Sequence, residues 1–312
     1  MTRSVHVAFD AQGDSAKSRI ALDHLACELR PLTRPPKLCD VRDSITQGSA
    51  IIAGAALDRS RYAHELCAHR FCGQVHLGIA MKKLGLVGGI SWVSTIDYYR
   101  YINEEINERL GGLEFAECLV HSLNFADVQR AGWDNAGPLL IRAAKSLEQS
   151  GAGGIVLCAN TAHRFAEEIR PAVRIPLIHI VEATAASVRA RKLRTVGMLG
   201  TKVTMESSFF VDGMAAAGVE TLVPESVETR DYIQETLKDE LGRGILREET
   251  KARYLQVMQE LVDRGAQGIV LGCTEIPLLI KQQDTEIPLF DTTRIHAEAA
   301  VAFSVGGELH ET

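Results

Sequence analysis

Two cysteines that end similar stretches of sequence carry the side chains best suited to chemistry in this chain. Cys158 lies in GAGGIVLCANT (151–161), and Cys273 lies in GAQGIVLGCTE (265–275). A thiolate can act as a base or a nucleophile, and the N-terminal amides of a following helix lower the pKa of a neighbouring thiol. We therefore expect Cys273, which comes just before a predicted helix start, to have a lowered pKa and to carry acid–base chemistry.

The two cysteines do not occupy the same position of the repeat. At an offset of 114 residues, Cys158 aligns with Gly272, and Cys273 aligns with Ala159. Because side chains alternate along a strand, Ala159 and Cys273 are expected on equivalent faces and Cys158 on the other face. Cys158 is then either a small buried residue, which free cysteine most often is, or an active-site thiol turned round by a strand irregularity.

The elements around the two cysteines repeat in the same order along the chain. Besides the two cysteine strands, the matching strand-like stretches are KLGLVGG (83–89) with RTVGMLG (194–200), FAECLVHSLN (115–124) with GVETLVPES (218–226), and IPLIHI (175–180) with IPLFDT (287–292). Helical patterns separate them, and this alternation is typical of βαβ units with parallel sheets. We predict an α/β fold with two pseudo-symmetric parallel-sheet lobes and the active site in the cleft between them.

The first predicted helix shows how the helices begin and end. STIDYYRYINEEINERLGG (94–112) has a capping-box pattern from Ser94 to Asp97 and a glycine stop at Gly111. Its apolar residues recur at helical spacing and predict the buried stripe Tyr98, Ile102, Ile106 and Leu110.

The boundaries of the lobes follow from the repeat and from a change of composition at Met81. We predict a first lobe of residues 81–185 plus 292–312 and a second lobe of residues 186–291. Residues 1–80 are expected to be a poorly ordered N-terminal extension that the core fold does not need. Its HELCAHRFC stretch could form a metal site only from His64, Cys67, His69 and Cys72, a spacing that matches no standard zinc pattern.

Composition excludes several classes of protein. The chain has 312 residues, 46% hydrophobic residues and a net charge of −6, which favours a globular protein without a nucleic-acid or membrane partner. The N-terminus lacks a signal-peptide pattern, so a cytoplasmic location with reduced thiols is expected for the seven cysteines. GLVGGISW does not match G-x-G-x-x-G, which argues against nicotinamide or flavin binding.

Ligands of parallel α/β sheets bind beyond the carboxyl ends of the strands. Both cysteine stretches end there, and the loops after the first two strands add further polar side chains to the predicted cleft: Ser91, Ser94, Thr95, Ser122 and Asn124. If the lobes face each other, each wall of the cleft carries a reactive group.

Four motifs together resemble the aspartate/glutamate racemase family. They are GGISWVSTIDYY (88–99), NTAH (160–163), GCTEIPLLI (272–280) and PLFDTTRIHAEAA (288–300), and the likeness extends from about residue 81 to 302. The resemblance implies a cofactor-independent isomerase without a metal, an amino-acid racemase for aspartate- or glutamate-type substrates, and a homodimer. It also implies that one cysteine on each lobe moves the α-proton from opposite sides, which makes Cys273 and Cys158 the candidate catalytic residues.

The resemblance also indicates residues that bind the substrate. Asn160, Thr161 and Thr274, with the adjacent amides and Ser91, are expected to hold the amino-acid carboxylate and ammonium. Arg243, 30 residues before Cys273, is expected to hold an acidic side chain. The remaining candidates, at the loop ends and beside the thiols, are Asn124, His163 and Glu275.

One position departs from the family pattern, because Ala159 stands where the cysteine before Asn-Thr is usual. A bulge could turn Cys158 into the cleft, Thr161, His163 or a bound water could substitute, or the second proton step could be lost. Two other functions therefore stay open: a single-thiol decarboxylase or isomerase of the same family, and a non-catalytic amino-acid-binding protein.

Overall fold

The computed structural model describes residues 81–306 of the chain. The predicted extension 1–80, with its HELCAHRFC stretch, and residues 307–312 lie outside the described residues. Within the described part, no helix is long and apolar enough to cross a bilayer.

Two parallel four-stranded sheets form the framework. The first contains β1 (Leu84–Gly88), β2 (Cys118–Ser122), β3 (Gly154–Leu157) and β4 (Leu177–Ile178), and the second contains β5 (Thr195–Gly200), β6 (Glu220–Leu222), β7 (Ile269–Gly272) and β8 (Leu289–Asp291). The strand orders are β2-β1-β3-β4 and β6-β5-β7-β8, so the two sheets have the same topology. The predicted α/β fold with two similar parallel-sheet lobes is confirmed.

Helices connect the strands and cover both sheets. The α-helices are α1 (Trp92–Leu110), α2 (Phe125–Ala131), α3 (Gly137–Gln149), α4 (Ala166–Ile169), α5 (Ile180–Ala190), α6 (Lys202–Glu206), α7 (Ser208–Ala216), α8 (Val227–Asp239), α9 (Glu248–Asp263), α10 (Ile276–Leu279) and α11 (Thr292–Ser304). Short 3-10 turns include Asn160–Phe165 after β3 and Leu241–Arg243 after α8.

Helix α1 starts one turn earlier than the sequence pattern indicates. Its N-cap is Ser91, whose side chain accepts a hydrogen bond from the Ser94 amide. The predicted capping box at Ser94 is therefore wrong, because Ser94 is buried inside the first turn. The C-terminal stop at Gly111 (φ 75°) is confirmed. Three residues of the predicted stripe are fully buried: Tyr98, Ile102 and Ile106.

A glycine turn after β1 brings the chain to this N-cap. Gly89 has φ +83°, a conformation that L side chains rarely adopt. A Cβ atom at this position would lie 2.1 Å from the carbonyl oxygen of Leu123. Because the turn packs against the loop after β2, only glycine fits, and the start of α1 is held at the carboxyl edge of the first sheet.

The two lobes exchange one helix each. Helix α5 follows β4 of the first sheet, yet its buried residues Ile180, Val181 and Val188 belong to the core of the second sheet. Helix α11 follows β8 of the second sheet, yet Ala300 and Val301 belong to a core of the first sheet. The two helices also contact each other. The lobe boundary between residues 185 and 186 stays a prediction. The buried hydrophobic residues of α5 all pack in the core of the second sheet.

Candidate active site

The carboxyl ends of the two sheets meet at the loop after β7. Ser94 Oγ of α1 lies 2.7 Å from Thr274 Oγ1, so the two hydroxyls share a hydrogen bond across the lobes. Ser91 Oγ donates a longer hydrogen bond, 3.5 Å, to Glu275 Oε1. The predicted site residues Ser91, Thr274 and Glu275 are therefore brought together, and Cys273 lies directly beside them.

Cys273 is half-buried at this junction. Its thiol donates a hydrogen bond to Glu275 Oε2 at a sulfur–oxygen distance of 2.9 Å, and Thr274 Oγ1 donates to the same oxygen at 2.8 Å. Burial, and then the negative charge of Glu275, raises the pKa of the thiol well above its usual value, although the amides of Thr274 and Glu275 act in the opposite direction. The expected lowering of the Cys273 pKa is therefore wrong, and the thiol is protonated at rest.

Cys158 lies on the far face of the first sheet. It is fully buried beside Tyr98 in the core under α1 and α11. The strand is regular here, because Cys158 N donates to Val87 O at 2.9 Å in continuation of the β1–β3 ladder. Burial, with a smaller contribution from Cys118, raises the pKa of the Cys158 thiol. The proposed bulge is absent, so the structure does not support Cys158 as a catalytic thiol.

Ala159, which comes two residues after the end of β3, lies on the opposite side of the first sheet from Cys158, as strand alternation predicts. It is half-buried, packs against the core on the opposite side from Cys158, and has extended backbone angles. A methyl group cannot donate or accept a proton. The first-lobe position equivalent to Cys273 therefore carries a side chain that cannot transfer a proton.

Asn160 connects the two lobes through a buried hydrogen bond. Its Nδ2 donates to Thr292 Oγ1 at 3.1 Å, and Thr292 Oγ1 donates to the Leu271 carbonyl of β7 at 2.9 Å. Asn160 is buried, and its Oδ1 has no hydrogen-bond partner among the described residues. An unpaired buried amide oxygen is costly, so this atom is a suitable acceptor for an ammonium group.

His163 belongs to a buried histidine cluster that sequence patterns did not indicate. Its Nδ1–H donates to Ala159 O at 3.0 Å, and its ring lies 4.9 Å from that of His179 and 5.1 Å from that of His296. His296 accepts from Tyr98 OH at 2.8 Å and donates to Ile178 O at 2.8 Å. Through His163, the cluster holds the Ala159 carbonyl and the turn that follows it in place.

The cluster predicts acid-sensitive stability. Burial lowers the pKa of His179 and of His296 to about 4. The unfolded chain binds these protons near pH 6.5 and the folded chain only near pH 4, so stability present above pH 6.5 is lost as the pH falls to 4. The expected loss is about 3 kcal/mol per histidine at most. Urea unfolding at pH 7, 6 and 5 measures it.

A matched variant isolates one of these histidines. His179 caps α5 through Nδ1, which accepts from Val181 N, and asparagine caps helices equally well without titrating. His179→Asn should therefore reduce the pH dependence of unfolding by about one proton. Stability that stays constant between pH 7 and 5 in the unmodified protein would refute the burial argument.

No hydrogen bond among the described residues joins the remaining predicted site residues to Cys273 or its partners. Thr161 is half-buried in the turn after β3, and Asn124 is exposed and caps α2 by accepting from Ala126 N. Arg243 is mostly exposed and donates to Asp239 Oδ1, at the end of the preceding helix α8, at 3.3 Å. Its turn contacts α10, the helix that follows Cys273. Residues 81–306 contain no group of three His, Cys, Asp or Glu side chains suited to hold a metal ion.

A family model for Asp/Glu/hydantoin racemases matches residues 87–300 of the chain. The chain belongs to this family. The matched region includes Cys273, Asn160 and the exchanged helix α5, and membership confirms the predicted isomerase of the amino-acid racemase class. The individual roles of the site residues stay predictions.

Solved structures of the family have the same fold. A candidate Asp/Glu racemase from Yersinia pestis is 41% identical, with a TM-score of 0.69 over 72% of this chain and 99% of that chain. An aspartate racemase homologue from Pyrococcus horikoshii OT3 is 32% identical, with a TM-score of 0.66 over 72% and 99%. The broad specificity amino-acid racemase RacX of Bacillus subtilis (strain 168) is 28% identical over 233 residues, which are 70% of this chain and 96% of RacX.

Proposed function

We propose that this member of the racemase family is a cofactor-independent amino-acid racemase in which Cys273 is the main acid–base group. The observation that carries the proposal is the position of the thiol, half-buried where hydroxyls of both lobes converge. A positioned group that transfers a proton in the transition state contributes about 10²–10⁴-fold to a rate. Among the described cysteines, Cys273 alone lies at this junction, since Cys118 is on edge strand β2 and Cys158 is in the core.

The polar groups around the thiol suit an α-amino acid. Asn160 Oδ1 can accept from the substrate ammonium, and the hydroxyls of Ser91 and Thr161 can donate to the substrate carboxylate. These groups come from the loops at the carboxyl ends of β1 and β3, where ligands of parallel sheets bind. Thr274 adds a hydroxyl from the second lobe. The substrate is thus held between the lobes with its α-hydrogen toward Cys273.

We assign aspartate- or glutamate-type amino acids as the substrates. Relatives named aspartate racemase homologue and glutamate racemase support this class, the latter including a Deinococcus radiodurans protein 30% identical over 147 residues, about half the length of each chain. Arg243 supplies a guanidinium whose ion pair among the described residues is an exposed contact to Asp239. A substrate carboxylate could replace that contact with a bidentate pair.

The missing thiol at Ala159 favours one second candidate function. A decarboxylase of the same family needs to protonate an enolate from one side only, and one thiol in the cleft is sufficient for that. Release of CO₂ from a malonate-type acid would identify it. A binding protein without catalysis would bind an amino acid but leave its α-hydrogen in place.

Proton NMR of D- and L-amino acids in D₂O with the protein tests the proposal. Loss of the α-proton signal should be fastest for aspartate or glutamate, because Cys273 exchanges the α-hydrogen with solvent. One enantiomer should exchange much faster than it inverts, since only one wall carries a thiol. A panel in which no amino acid exchanges would contradict the racemase function.

The assembly and location that we propose are a homodimer in the cytoplasm. Helix α1 exposes an uncharged surface formed by Trp92 (68% exposed), Val93, Ile96 and Tyr99, and such a surface is typical of an interface. The three described cysteines are free thiols, which suits a reducing compartment. Light scattering of the purified protein measures the assembly directly.

A further inference from the structure

The exposed hydrophobic residues are concentrated on one side of the first lobe. Among residues 81–306, twelve large hydrophobic side chains are exposed, and eight of them lie between residues 92 and 125. The ones that matter here belong to α1, to the middle of β2 and to the two ends of that strand: Trp92, Ile96, Tyr99, Val120, Phe115 and Phe125. An apolar concentration of this kind on a globular lobe is typical of an interface.

The apolar residues of α1 lie beside β2. Asn103 Oδ1 accepts a hydrogen bond from Ala116 N at 3.0 Å, just before the strand begins. Trp92, Ile96 and Tyr99 precede Asn103 by 11, 7 and 4 residues, so they share its face of the helix. From Asn103 back to Trp92 the helix rises about 16 Å, which is the length of about five strand residues. The stripe therefore runs along the whole of β2.

β2 is an edge strand whose outer backbone groups can be assigned. It pairs with β1 on one side only. Leu123 N donates to Gly88 O at 2.9 Å, and Glu117 O accepts from the first residue of β1 at 3.0 Å, so the odd-numbered residues direct their N–H and C=O groups toward β1. The N–H and C=O groups of the alternate residues point to the open edge: Cys118, Val120 and Ser122. Such an edge is a template for another strand.

The equivalent edge of the second lobe is different. β6 has three residues against five in β2, and it begins with the exposed Glu220. A short, charged edge is protected against strand addition. β2 has neither feature, because residues 118–125 contain no Lys, Arg, Asp or Glu. Since the two sheets have the same topology, the fold itself does not require an open apolar edge at β2.

We propose that a second copy of this chain pairs antiparallel with β2 across a two-fold axis at Val120, which joins the two first-lobe sheets into one continuous sheet. The proposal rests on the homodimer proposed above and specifies its interface. This register places Val120 opposite itself and Cys118 opposite Ser122 of the other copy. Because the backbone groups of all three residues point to the edge, each of these pairs exchanges two backbone hydrogen bonds. A two-fold axis requires such a self-complementary surface.

The side chains suit the same axis. Val120 meets its own copy on the α1 face of the joined sheet, beside the apolar stripe of each α1. Phe115 and Phe125 are both five residues from Val120, so Phe115 of one copy reaches the end of the strand that carries Phe125 of the other. The surface has no charge to bury, which favours an equally uncharged partner. The second copy also covers the loop after β2, which holds the candidate site residue Asn124.

Charged variants at the axis test the proposal by light scattering of the full chain over a range of concentrations. Val120→Lys should raise the dimer Kd about 10²-fold or more, because two like charges face each other at the axis. Val120→Glu should do the same. An equimolar mixture of the two variants should dimerise again, because lysine then faces glutamate. Val120 is 49% exposed, so a charged side chain leaves the lobe folded, and Val227→Lys, at a valine of the second lobe that is 47% exposed, is the matched control that should change nothing.

Each outcome decides for or against this interface. If the unmodified protein is a monomer, or if both charged variants remain dimers, the proposal is wrong. If the variants dissociate and their mixture does not recover, the axis does not pass through Val120, and the proposal is equally wrong. Amide hydrogen exchange of the β2 peptide should slow as the dimer forms, whereas slow exchange in a monomer would mean that another segment of the same chain covers the edge. None of these measurements depends on racemisation, so a failure of the racemase function is recorded separately by the NMR assay.

Discussion

Replacing Cys273 with serine is expected to lower α-hydrogen exchange by about 10²–10⁴-fold, the usual contribution of one positioned acid–base group. Serine keeps the size and hydrogen bonding of the side chain, but its hydroxyl is a far weaker acid than a thiol. The contact of this side chain with Glu275 can therefore persist while proton transfer is lost. Exchange rates in D₂O at saturating substrate measure the effect.

Cys158→Ser is the matched comparison. Cys158 is fully buried on the far face of the first sheet, so its replacement should affect stability more than exchange. Burial of a hydroxyl whose partner is suboptimal costs about 1–3 kcal/mol, which a thermal unfolding curve detects. Equal and near-total losses of exchange in both variants, with both proteins folded, would show that two thiols act and that our placement of Cys158 is wrong.

Ala159→Cys is expected to raise racemisation by about 10²-fold or more, because it places a second thiol on the wall opposite Cys273. The position has the extended backbone that cysteine adopts readily, and it is half-buried. Inversion should increase much more than exchange, since exchange already needs only one thiol. Chiral chromatography of the products, combined with NMR exchange rates, gives this ratio.

Ala159→Ser controls for size and polarity in this experiment. It adds one heavy atom that can hydrogen bond but is a poor proton donor, so racemisation should rise little. An Ala159→Cys protein that folds, binds substrate and inverts it no faster than before would mean that the side chain at 159 does not face the reacting carbon.

The repeat in the sequence was sufficient to predict the two sheets and to place Ala159 and Cys158 on opposite faces of the first one. Period-two alternation puts the side chains of Ala159 and Cys158 on opposite faces, and the regular ladder between β1 and β3 agrees with that alternation. The lowered pKa expected for Cys273 was wrong, because burial of the thiol, and then the charge of Glu275, outweigh the neighbouring amides. No local pattern specifies either that burial or the rotamer of Glu275. The start of α1 was also missed, since the burial of Ser94 depends on Thr274 of the other lobe.

Long-range partners explain the other omissions. His179 and His296 are 117 residues apart, and nothing near either one in the sequence indicates that both rings pack on His163. Thr292 likewise becomes relevant only through its contact with Asn160. Such contacts follow from how the lobes dock, and a single sequence contains no pattern for docking.

The exchange of α5 and α11 makes each half of the chain incomplete by itself. A half that ended after α5 would have a sheet whose surface needs the last helix of the other half, while its own last helix would have no core to cover. Two copies of such a half could satisfy each other by trading their terminal helices, as in domain-swapped dimers. The present chain has the form of that reciprocal pair joined in tandem, so its lobes share one cooperative folding unit.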